Sequence, residues 1–190
     1  MTSTARRADV RTFSTSLLLT CAAIGVAGGA LLIAANLVST VLFAVAPLWS
    51  VAIAGLWLLP AVIALRLLQR PGVGLLVGLI SGLVAVPFTG TGFGAVATNV
   101  WWAFFAEVGF LLVAYRFWTI WNHLAGAVVV TAVYPVLAAV SFELDKMSAP
   151  AIIGFVALLL ASSIAATLLG VVIGDRLRAM GLARASRRRH

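Results

Sequence analysis

One carboxylate in this chain stands where a carboxylate is costly. Glu107 lies about twelve residues into the apolar run that spans roughly 95–115, which is about 18 Å along a helix at 1.5 Å per residue. An ionised carboxylate at that depth in lipid costs on the order of 2.5–3.5 kcal/mol, so the side chain is expected to face inward, toward a partner. Two readings are open. It is a structural glutamate, neutral or paired with a tyrosine or Arg116, or it supplies the counter-charge for a cationic or amine-bearing ligand. Asn99 and Trp102 fall on adjoining faces of the same helix at about 100° per residue. Asn99 can donate and accept toward a heterocycle or simply bond a neighbouring helix. Trp101 and Trp102 suit an interface belt singly; with Trp49, Trp57 and Tyr134 they can build an aromatic wall for a flat or cationic ring. Glu143 and Asp145 beside Lys146 form a loop that closes over a ligand or is merely solvated.

Other chemistry is poorly provided for. Cys21 is the single cysteine and the histidines are His123 and His190, so neither an internal disulfide nor a Cys/His metal cluster is expected. There is no P-loop and no GxSxG elbow, and the loop Gly90–Gly94 lacks the lysine of a phosphate cradle. No catalytic residues and no cofactor are expected. His123 is expected to be solvated or to face headgroups, and Trp118 and Trp121 to be interface anchors. The net charge of +8 sits at helix ends and tails without interleaved aromatics, which argues against nucleic acid.

The elements that position these residues follow from composition. Apolar residues make up 63% of the 190 positions and charged residues 9%, too few charges for a water-soluble globule. A membrane helix takes roughly 20 apolar residues, and six runs are read as spans, the third of them short: about 13–35, 48–68, 73–87, 95–115, 120–141 and 150–173. The expected fold is an all-α bundle of six transmembrane helices over 13–174, with a basic tail at 1–12 and another at 175–190. Residues 36–47 are expected to be irregular, and the first run, longer than a signal-peptide core, to be a retained helix. With both ends inside, all twelve arginines are cytoplasmic and Lys146 alone lies outside, as the positive-inside rule requires. The chain is therefore expected in a bacterial-type plasma membrane.

Small residues recur at four-residue spacing, the pattern that lets helices approach closely in lipid. Gly74, Gly78 and Gly82 form one stripe; Ala23 with Ala27, and Ala30 with Ala34, form others; Ser162, Ala166, Gly170 and Gly174 form another. Each stripe packs inside the bundle or docks a second membrane subunit.

The run Gly55-Leu56-Trp57, the turn Arg70-Pro71-Gly72, the loop Gly90-Thr91-Gly92-Phe93-Gly94 and the pair Ala106-Glu107 resemble the YkoE-type S components of energy-coupling-factor (ECF) vitamin transporters. The resemblance covers roughly residues 15–180. It implies capture of thiamine or its hydroxymethylpyrimidine precursor from outside, near helices four to six. It also implies partners, a transmembrane coupling protein and two cytoplasmic ATPases that hydrolyse the ATP, with Ala23, Ala27, Ala30 and Ala34 facing the coupling protein. Glu107 matches the family's acidic position, whereas Gly92 and Trp102 stand where the family favours glutamine. The rival classes are a ligand-free assembly subunit and a small intramembrane enzyme using Glu107.

Overall fold

The computed structural model describes residues 14–181, so the tail 1–12, with Arg6, Arg7 and Arg11, and the stretch 182–190, with Arg184 and Arg187–Arg189, lie outside the described residues, whereas the start of the expected tail at 175 is helical and belongs to α6. Six apolar helices follow one another: α1 (Thr15–Val45), α2 (Pro47–Leu68), α3 (Val73–Ala85), α4 (Gly94–Leu112), α5 (Ile120–Ala138) and α6 (Ala149–Ala179). Five are long and apolar enough to cross a membrane; α3, with its short 3₁₀ extension to Phe88, is not, by length.

Two boundaries differ from expectation. Residues 36–45 are not irregular but continue α1. The polar side chains there do not break the helix, because they turn back onto it: the Thr40 hydroxyl donates to the Asn36 carbonyl at 2.8 Å. The helix stops at Ala46, which leaves helical geometry at φ −154°, because the following Pro47 disfavours that geometry in its predecessor. At the other end of the chain α6 runs six residues beyond the expected 173, so α1 and α6 are each 31 residues long. Inside α2, Val51–Leu58 tightens to 3₁₀ geometry, and there the Gly55 N–H donates to the Ser162 hydroxyl of α6 at 2.9 Å.

The helices alternate in direction, which gives the bundle two ends. Ser14, the turn 69–72, the turn 113–119 and Gly181 lie at the terminal end; Ala46, the loop 89–93 and the segment 139–148 lie at the far end. Charge is divided the same way: Arg66, Arg70, Arg116, Arg176 and Arg178 are at the terminal end and Lys146 is at the far end. Arg66 grips Asp175 with both arms of its guanidinium (2.7 and 2.9 Å) and reaches the Trp118 carbonyl at 3.4 Å. Arg178 donates to the carbonyls of Arg66 and Leu67, capping the end of α2.

Helix α3 lies between α1 and α4, and the glycine stripes explain how. A side-chain carbon added at Gly82 would come within 2.6 Å of the Val96 backbone of α4, and one at Gly74 within 2.9 Å of Glu107. Gly78 faces Ala103 in the same seam. The Gly74, Gly78, Gly82 stripe is thus an internal seam and not a partner interface, since its small residues are consumed by the approach of α4. Gly25 and Gly29 of α1 meet Ile80 and Val84 in the same way, and the Ser81 hydroxyl donates to the Gly25 carbonyl at 2.9 Å. Ala23, Ala27, Ala30 and Ala34 are left exposed on the opposite face of α1.

Candidate functional site

Glu107 is fully buried, at 0% exposure, but its surroundings differ from those expected of a ligand contact. One carboxylate oxygen accepts the backbone N–H groups of Gly74 (2.7 Å) and Leu75 (3.1 Å). The other accepts the Gly72 N–H at 3.2 Å and the Tyr115 hydroxyl at 2.5 Å. These donors explain the burial. Among the first amides of a helix are several without an intrahelical partner, and the helix dipole favours negative charge there. Glu107 is therefore the N-terminal cap of α3, supplied by a neighbouring helix. The expectation that a captured guest satisfies this carboxylate does not hold, because the chain's own donors already do. Tyr115 lies outside the spans, and its burial together with the adjacent Glu107 carboxylate raises its hydroxyl above the ordinary tyrosine range.

Asn99 is also turned away from a ligand role. Its amide donates to the Ala95 carbonyl of its own helix at 2.8 Å, and its Cβ faces Gly82 in the α3–α4 seam. His123 is buried, not headgroup-facing; its ring lies edge-on to Phe110, with centroids 4.7 Å apart. Trp118 is half-buried, 4.8 Å from the same Phe110 ring, so it belongs to the packing there and is not a simple anchor, whereas Trp121 is exposed.

The aromatic expectation fares differently. Trp101, Trp102 and Tyr134 converge at the far half of the α4–α5 contact. Their ring centroids are 5.1 Å (Trp101–Trp102), 5.2 Å (Trp102–Tyr134) and 6.0 Å (Trp101–Tyr134) apart. With Ala97, Thr98 and Leu137 they line an open pocket of about 310 Å³, at the small end of the range for ligand sites. Trp102 forms the buried floor, and Ala97, Thr98 and Leu137 form an exposed rim. Among the described residues no hydrogen bond is seen for the Thr98 and Tyr134 hydroxyls or for either indole N–H.

The other expected residues lie elsewhere. Trp57 is half-buried in α2 and packs on the core without reaching this pocket, and Trp49 is exposed. Glu143 is exposed at the far end, paired with Lys146 at 2.9 Å. Ala97, Thr98 and Leu137 escaped the sequence reading, although a signal was there. Ala97 and Thr98 precede Trp101 and Trp102 by four residues, hence share their helix face, and Leu137 follows Tyr134 by three. Among the described residues no group of three His, Cys, Asp or Glu side chains could hold a metal ion.

A solved structure described as the crystal structure of an S-component of ECF transporter superposes with a TM-score of 0.81 over 92% of this chain and 90% of that one, at 18% sequence identity. At that identity the likeness shows a shared fold. No curated protein matches the chain significantly in sequence. The family model for the ABC-type cobalt transport system, permease component, matches residues 17–134, more than half of the chain and most of the elements that build the pocket. The chain belongs to the family of ABC-type cobalt transport system permease components.

Proposed function

We propose that this chain is the capture subunit of an ABC-type importer: it takes up a small flat ring compound in the α4–α5 pocket and passes it to an ATP-driven module. The pocket carries the reading, an aromatic floor at the end of the bundle away from the termini. All six helices serve as spans; α3 with its extension measures about 26 Å, close to the hydrocarbon thickness. The arginine-rich terminal end is cytoplasmic under the positive-inside rule, which leaves the pocket near the outer surface. The membrane is then the plasma membrane of a bacterial-type cell.

Partners follow from the ECF-like fold. A transmembrane coupling protein docks on the exposed Ala23, Ala27, Ala30 and Ala34 face of α1, and two ATPases hydrolyse the ATP, so the chain itself needs no cofactor. The family's name speaks of cobalt, but this pocket is lined by aromatic and small residues with no imidazole, thiolate or carboxylate, the donors a cobalt ion seeks. A pyrimidine fits it better: thiamine, or more closely its neutral hydroxymethylpyrimidine half, since Glu107 is not available as a counter-charge. An intramembrane enzyme is disfavoured for the same reason, because the one deep carboxylate is occupied by four donors.

The test is quenching of tryptophan emission in the purified chain by hydroxymethylpyrimidine, thiamine and Co²⁺, alongside native mass spectrometry for a retained small molecule. Saturable quenching by a pyrimidine and none by Co²⁺ is expected. A subunit that arrives empty and is quenched by neither pyrimidine is not a capture subunit of this kind.

A further inference from the structure

The two helices that form the pocket are joined at their other end by an unusual turn. Helix α4 ends in a Schellman arrangement: the Ala114 N–H donates to the Leu111 carbonyl, the Tyr115 N–H to the Phe110 carbonyl, and the Tyr115 and Phe110 rings stack with centroids 6.4 Å apart. Glycine normally takes the left-handed position of that motif. Here Ala114 takes it at φ 48° and Tyr115 follows at φ 56°, two consecutive side-chain-bearing residues in a region L-residues avoid. Such strain persists only where surrounding contacts over-determine it, and two contacts do. The Tyr115 hydroxyl is held by Glu107 at 2.5 Å, which ties the turn to α3 and α4. The Trp118 carbonyl is held by Arg66 at 3.4 Å, which ties it to α2.

Between turn and pocket the two helices touch backbone to backbone. Gly109 of α4 lies against the Asn122 carbonyl, and Gly126 of α5 lies against the Phe105 carbonyl; a side-chain carbon on either glycine would collide with the facing backbone. The order along the pair is a pinned turn, a bare glycine contact, and then the open groove between Trp101, Trp102 and Tyr134.

We propose that α4 and α5 work as a pair of tongs, with the close backbone approaches of Gly109 to Asn122 and of Gly126 to Phe105 as fulcrum, and that Tyr115 and Glu107 are positioning residues that set the opening of the aromatic groove. From Gly126 to the far end of α5 at Ala138 is about 18 Å, and back to its start at Ile120 about 9 Å, so a displacement at the turn is magnified about twofold at the far end of the helix. The importance of this device for capture rests on the reading of the groove as the capture site, but the opening is measurable without any ligand.

The experiment places spin labels at Phe93→Cys and Val140→Cys, exposed positions flanking the groove end of the two helices, in the full chain with the buried Cys21 replaced by alanine. The Phe93–Val140 distance distribution is then compared among the parent, Tyr115→Phe, Glu107→Gln and Arg116→Ala. Tyr115→Phe and Glu107→Gln are expected to shift or broaden the distribution by about 2 Å, the lever ratio applied to a displacement of about 1 Å at the turn. Arg116→Ala, an exposed neighbour in the same turn, is expected to leave it unchanged. Parent-like distances in a folded Tyr115→Phe variant overturn the proposal, even if Glu107→Gln fails to fold. An equal shift in Arg116→Ala also overturns it, since any loosening of the turn would then suffice. A groove that moves as expected but quenches with neither pyrimidine leaves the tongs standing and removes the capture reading alone.

Discussion

The Gly74 backbone amide donates to Glu107 Oε1 at 2.7 Å, so the deep carboxylate and the head of the glycine stripe are each other's partners. The glycine gives the carboxylate room to approach, and the carboxylate satisfies the helix start that the glycine begins. Glu107→Gln puts an amide donor among four donors, and Glu107→Leu leaves all four without an acceptor. We expect thermal unfolding in detergent to show losses of about 1–3 kcal/mol for glutamine and more for leucine.

Tyr115 adds a pH signature. Its hydroxyl is raised above the ordinary tyrosine value, so the folded state holds the proton more tightly than the unfolded state. Its contribution is fully present below about pH 10, the ordinary tyrosine value, and is lost as pH rises past that point toward the folded value. Melting temperature followed across the alkaline range should show this loss in the parent, and a shallower fall in Tyr115→Phe.

Ala114 stands where glycine is the natural residue. Ala114→Gly should stabilise the chain by about 1 kcal/mol, the cost of a left-handed L-residue, less what glycine loses through its freer unfolded chain. An unchanged or lower melting temperature would mean that the turn carries no strain.

Two glycines separate close packing from open space. A side-chain carbon at Gly55 would strike the Ser162 backbone, whereas nothing lies within 4 Å of one at Gly154. Gly55→Ala should cost about 1–3 kcal/mol by forcing α2 from α6, and Gly154→Ala should be neutral or better, as helix propensity favours alanine by about 1 kcal/mol.

For capture, Trp102→Ala removes the buried floor of the pocket and should weaken pyrimidine binding at least about tenfold, the equivalent of about 1.4 kcal/mol. Glu143→Ala, which removes only the exposed pair with Lys146, should leave affinity unchanged. Quenching titrations of the two variants separate a stacking site from one closed by the polar loop.

The sequence carried the parts of this molecule that depend on hydropathy and local spacing. The six apolar segments, the aromatic grouping and the uneven distribution of arginine are all visible before folding. The partners of polar groups are not. Nothing near Glu107 in sequence points to the amides of Gly72, Gly74 and Leu75, more than thirty residues earlier, because that pairing depends on which face of α3 meets α4. The same holds for Asn99, whose rotation toward Gly82 is fixed by the glycine seam and not by its own helix. Extension of α1 to Val45 was hidden by Asn36, Ser39 and Thr40, which read as loop formers although hydroxyl back-bonding lets such residues ride in a helix.

The 31-residue lengths of α1 and α6 bear on the lipid around the protein. Each rod is about 46 Å long, half again the usual hydrocarbon thickness, while α3 with its 3₁₀ extension reaches about 26 Å. Tilt in the usual range does not absorb a rod of that length, and the last turn of α6, with Asp175, Arg176 and Arg178, is charged and suits the headgroup layer. At fractions of a kcal/mol per ångström of mismatch, helices so unequal in length set a modest preference for the bilayer that surrounds them.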